Sequence, residues 1–132
     1  MPRNFTLTPG DGEINMFCLT VTYPNSEGSH FDPDYYVEKH LALCADLFAA
    51  HGFRGSVVKL SQGKSPGQAG LNHASVDLLF DSREQMQAGL AAGGKQIAAD
   101  VANYTNIKPQ MSFAEVLIAL DCSPAKSGTV SN

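Results

Sequence analysis

Residues 73–80, HASVDLLF, alternate without a break: Ala74, Val76, Leu78 and Phe80 on one side, His73, Ser75, Asp77 and Leu79 on the other. A period of two belongs to a strand, so this segment predicts a half-buried strand with one distinctly polar face. Its apolar face must be covered, which makes the chain a layered one with a sheet and something packed on it.

The flanking sequence supplies the other elements. Residues 16–23, MFCLTVTY, have strand composition and end in the turn chemistry of Pro24-Asn25 and Glu27-Gly28. Asp32 then fits an N-cap, Pro33 the first helical position, and Phe31 a staple on Tyr36; the helix should reach about His51, with Gly52 as its stop. FRGSVVKLS (53–61) predicts a second strand weakened by Gly55, and SQGKSPGQAGLN a long hairpin loop. Asp81-Ser82-Arg83-Glu84 resembles a capping box opening a second helix, which Gly93-Gly94 should interrupt before a short helical piece at 95–102. SFAEVLIAL (112–120) completes the order β-α-β-β-α-β, a ferredoxin-like α+β subunit with a four-stranded antiparallel sheet and two helices on one face.

At 132 residues the chain fits one domain. That domain is expected at 15–120, between a turn-rich arm (1–14) and a polar tail (121–132) too poor in apolar residues to offset its ordering entropy. The last strand reads as apolar on both sides apart from Glu115, so the face without helices asks for a partner, most simply a second copy sheet to sheet.

Charge narrows the function. Nine cations against thirteen anions give a net charge of −4, and the cations are scattered, which argues against a nucleic-acid partner. No run approaches a membrane span or a signal-peptide core. Cys18, Cys44 and Cys122 are odd in number, widely spaced and without CxxC, as expected of reduced thiols; the expected location is the cytoplasm.

On a helical wheel Tyr36, Val37, His40, Leu41, Cys44, Leu47, Phe48 and His51 share one stripe, with Glu38, Lys39, Ala42 and Asp46 outside it. His40 thus points at the sheet. It could be a core histidine satisfied by a carbonyl or a tyrosine hydroxyl, or a chemical group. Histidines at 30, 40, 51 and 73 offer no HxxxH or HExxH, so no metal is expected. There is no GxSxG, and GKSPGQAG lacks the phosphate-loop order and precedes a strand. Asn103, Tyr104 and Thr105 lie where the chain returns to the sheet, either as a capped loop or with Tyr104 at the mouth of a pocket near His40.

The run Asp32-x-x-Tyr35-Tyr36-x-x-x-His40, with Tyr23-Pro24-Asn25, Glu27-Gly28, Phe80-Asp81-Ser82, Asn103-Tyr104-Thr105, Pro109 and Glu115-Val116, resembles the EthD family across about 16–118. The resemblance implies a dimeric α/β barrel with a small-molecule cavity between helices and sheet, and chemistry without a cofactor on aromatic or polyketide-like compounds. It makes His40 the general acid/base, with Tyr36 and Tyr104 orienting substrate or stabilising an oxyanion, and Tyr23, Cys44 and Asn103 as substrate contacts. Members often carry Pro two residues after this histidine; Ala42 stands there, implying a less distorted helix around His40. Two other readings fit the same residues: a non-catalytic carrier or sensor of a small apolar ligand, and a purely structural dimer with a closed core.

Overall fold

A computed structural model describes residues 16–65 and 67–117. The expected arm and tail, and positions 118–120 of the expected last strand, lie outside the described residues. Strands β1 (Phe17–Pro24), β2 (Phe53–Leu60), β3 (Asn72–Phe80) and β4 (Gln110–Glu115) form one antiparallel sheet in the order β2-β3-β1-β4. This is the ferredoxin-like α+β arrangement expected from the order of elements. The alternation in β3 is realised in full: Ala74, Val76, Leu78 and Phe80 are all buried under the helices.

The first helix begins as expected. Asp32 accepts a hydrogen bond from Tyr35 N–H, Pro33 occupies the first turn, and the Phe31 and Tyr36 rings lie 5.4 Å apart. Its middle does not follow expectation. After a single α turn, Pro33–Tyr35, the chain winds as a π-helix over Tyr36–His40 and returns to α geometry for Leu41–Phe48. Leu41 N–H donates to the carbonyl of Tyr36, five residues back. So Ala42 in place of proline does not leave the helix regular. The wider turn places residues four apart over one another, and the buried stripe narrows to Tyr36, His40, Cys44 and Phe48. Val37, expected on that stripe, is exposed. The helix ends at Phe48 rather than His51, and Gly52 follows at φ +69°, a left-handed stop.

The second helix is continuous over Arg83–Asp100, and a 3-10 turn, Val101–Asn103, extends it. Ser82, one residue later than expected, is its N-cap and accepts from Gln85 N–H. Gly93-Gly94 does not break it, because Gly93 is where the two helices touch. A Cβ there would stand 2.9 Å from that of Leu47, and one on Gly89 3.0 Å from the Phe48 ring. Close helix packing outweighs the roughly 1 kcal/mol propensity cost of each glycine.

The last strand also differs. β4 spans Gln110–Glu115, starting earlier than expected, and Val116 leaves the ladder after one further bond to Met16 O. Met111 and Phe113 pair with Val21 and Leu19 and therefore share the helix face. Gln110, Ser112 and Ala114 fall on the open face with Thr20, Thr22, Ser75 and Asp77. Thr20 donates to Asp77 there, and Lys59 pairs with Asp77 at 3.2 Å. Among the described residues the open face is mixed, with Val57, Leu79 and Ala114 among polar groups; Ile118 and Leu120, on which the expected apolar face of strand four also rested, lie outside the described residues.

Candidate functional site

The site forms where the first helix begins and the second ends. Phe31 and Thr105 make an isolated antiparallel bridge, Asp32 N–H donates to Tyr104 O, and Thr105 Oγ1 donates to His30 O. Asn106 adds two bonds, accepting from His30 N–H and donating to Gly28 O. These stitches carry Tyr104 against the π turn that presents Tyr36 and His40. The rings of Tyr104 and His40 lie 4.6 Å apart, and those of Tyr104 and Tyr36 5.1 Å apart.

His40 is 3% exposed, and both ring nitrogens have partners. Nδ1 lies 2.8 Å from Asp100 Oδ2, and Nε2 lies 3.3 Å from the Tyr104 hydroxyl. The Tyr104 hydroxyl is in turn 2.7 Å from that of Tyr23. Asp100 is held in place on its other oxygen by the Tyr35 hydroxyl and the Asn103 amide, each at 2.8 Å. A carboxylate only accepts, so Nδ1 carries the proton and the neutral tautomer has its lone pair on Nε2.

Burial pushes the His40 imidazole below its ordinary pKa, opposed by the hydrogen bond and charge of Asp100. For Asp100, burial works upward, but the bonds from Asn103, His40 and Tyr35 prevail and hold the carboxyl below its usual range. Burial raises Tyr23, Tyr36 and Tyr104, which stay protonated donors. Burial, with a smaller effect of the Asp100 charge, also pushes the Cys44 thiol up to about 12.

A cavity of about 740 Å³ opens beside these groups, between the helices and the sheet. Leu19, Phe48, Leu78, Leu90 and Ile97 give it an apolar wall, and Tyr23, Tyr36, His40, Cys44 and Tyr104 all line it. Such a volume fits a small-molecule ligand. Among the described residues no three His, Cys, Asp or Glu side chains converge as a metal-binding group.

With 30% sequence identity and a TM-score of 0.70, the chain is similar to an EthD-like protein from Ralstonia eutropha JMP134, over 79% of this chain and 94% of that one. The chain belongs to the EthD-like family. Two more distant structures share its fold. A variant of SnoaB, a cofactor-independent oxygenase from Streptomyces nogalater, is 14% identical with a TM-score of 0.54 over 80% of this chain and 96% of that one. A dimeric ferredoxin-like protein of unknown function from Thermobifida fusca YX is 12% identical with a TM-score of 0.53 over 88% and 100%. No family model and no curated protein matches the chain.

Of the six residues singled out in this EthD-like sequence, five meet at the cavity. Asn103 does not: it is exposed outside the wall, and its amide goes to Asp100. Tyr104, expected at a pocket mouth, is fully buried in contact with His40. Asp100 is the residue the sequence reading missed. A signal for it existed, because Leu90, Gly94, Ile97, Ala98 and Val101 repeat at helical spacing along the cavity wall. Taking Gly93-Gly94 as a break cut that stripe in two and hid the phase of its far end.

Proposed function

We propose that this EthD-like protein carries out cofactor-independent chemistry on a small hydrophobic or aromatic oxygenated compound, with His40 as general acid/base. One observation carries the reading: His40 turns Nδ1 to Asp100 and Nε2 to a hydroxyl-lined cavity. Nε2 takes a proton from a carbon beside a carbonyl, or from a phenol or enol; the bonding pair stays on the substrate as an enolate or phenolate. Tyr36, kept protonated by burial, is placed to donate a hydrogen bond to the oxygen where that charge develops; the Tyr104 hydroxyl, which donates to Nε2 in the resting site, turns to the same oxygen when substrate displaces it from Nε2. Tyr23 and Cys44 contribute to the binding wall. Lactone isomerisation, dehydration and oxygenation can all start from this step. In the first two the imidazolium returns its proton to carbon or to a departing hydroxyl. In the third the anion gives electrons to dioxygen.

The working form in this proposal is a homodimer through the open sheet face, in the cytoplasm. Support comes from Val57 and Leu79 on that face and from the distant likeness to a dimeric ferredoxin-like protein. A folded monomer in sedimentation at micromolar concentration would remove the dimer. Among the described residues no helix is long and apolar enough to cross a membrane.

The test is proton exchange, because it needs no knowledge of the full reaction. 2-Tetralone, an enolisable aromatic ketone, is incubated with the protein in deuterated buffer and followed by NMR. Deuterium uptake is expected to accelerate with wild type and to drop by about 10²–10⁴-fold in His40→Ala, the usual contribution of a general base. Binding without accelerated exchange would favour the alternative, a non-catalytic carrier or accessory protein.

A further inference from the structure

We infer that the ligand is an amphiphilic acid: an apolar, ring-sized body beside His40 carrying one anionic group that Lys108 receives. The inference rests on the same cavity proposed above as the reaction site and adds the charge of what enters it. The protein as a whole is acidic, at −4, yet among the described residues no Asp or Glu lines the cavity. Asp100 stands behind His40, outside that wall. Among the described residues Lys108 is the only Lys or Arg in the wall, next to Pro109 and Ile107 on the segment leading into β4.

Lys108 is exposed, and among the described residues it takes part in no salt bridge. Glu27 lies in a smaller neighbouring hollow that shares Asn106, Ile107 and Lys108, but beyond ion-pair distance. A cationic head beside an apolar chamber free of carboxylates attracts an anion and offers nothing to a cation. The hydrocarbon stem of the lysine can lie along the wall while the ammonium stays wet, so the acid group would sit at the rim and the body inside. A carboxylate or an already ionised phenol meets this description; a neutral hydrocarbon or an amine does not.

Calorimetry with 2-naphthoate and 2-naphthamide, matched in shape and differing in charge, tests it. With wild-type protein at low salt the acid is expected to bind about tenfold more tightly than the amide, as a charge-assisted contact at a partly screened site allows. The margin should narrow as salt is added. Lys108→Met is expected to abolish the margin and leave the amide unchanged, and Lys108→Arg to keep it. Equal binding of the two compounds by wild type would overturn the inference and leave the His40 reading standing, as would a preference that survives in Lys108→Met. If neither compound binds, the cavity itself is refuted as a ligand site, and both readings fall.

Discussion

The Nδ1 atom of His40 lies 2.8 Å from Oδ2 of Asp100, a contact made across 60 residues of sequence by the end of one helix on the π turn of another. The contact fixes the imidazole's tautomer and leaves the lone pair on Nε2, where it accepts from the Tyr104 hydroxyl at the cavity wall. Asp100 touches no part of the cavity and acts through His40 as a positioning residue.

Replacing Asp100 by Asn is therefore expected to slow proton exchange by about 10²-fold, the lower end of a general base's contribution, without emptying the cavity. The pH profile carries the sign. His40 is held below the ordinary histidine value, so exchange should stay level above about pH 6.5 and fall only as pH drops through the lower folded value. Both effects of Asp100 raise that value, so Asp100→Asn should move the acid limb to still lower pH. An unchanged profile in the variant would mean that Asp100 is merely structural.

Two adjacent glycines of the second helix should respond in opposite directions. Ala at position 93 would press its Cβ to within 2.9 Å of Leu47 Cβ, and overpacking of this kind costs about 1–3 kcal/mol. Ala at 94 meets nothing within 4 Å and should stabilise by about 0.5–1 kcal/mol through helix propensity. Urea unfolding of Gly93→Ala and Gly94→Ala measures both. Shifts of the same sign would contradict the packing described at Leu47.

Cys44 should be chemically silent despite lying one helical turn from His40. Its thiol is buried and pushed up to about 12, so almost no thiolate exists at neutral pH. Alkylation of the folded protein with iodoacetamide at about pH 8, read by peptide mass spectrometry, is expected to leave Cys44 unmodified until the protein is unfolded in urea. Rapid labelling of Cys44 in the folded protein would point to a nucleophile in the cavity and a different chemistry.

How far the sequence carried the fold depends on what each residue's neighbours were. The period-two pattern of β3 was readable because both of its faces are decided by the sheet alone. The cap at Asp32 was readable because it involves only Asp32 and the following turn. Val37 was misplaced because nothing local announces a π turn, and one extra residue per turn changes which side chains align. The continuity of the second helix was hidden for a related reason: glycine propensity is local, whereas the contact of Gly93 with Leu47 is not. At the site, Tyr36, His40 and Cys44 were legible from their spacing, but Asp100 reaches His40 only once the whole topology is closed. The start of the last strand was not legible, because Gln110 and Met111 join the sheet only through pairing with Thr22 and Val21, far away in sequence.

Proton transfer at this site depends on the state of one ring, and nitrogen-15 NMR of histidine-labelled protein reads it directly, with His40→Gln to assign the signals. His40 is expected to be neutral at pH 7, with the proton on Nδ1 and the lone pair on Nε2, and to titrate below about 6.5. An imidazolium at pH 7, or a neutral ring protonated on Nε2, would contradict it.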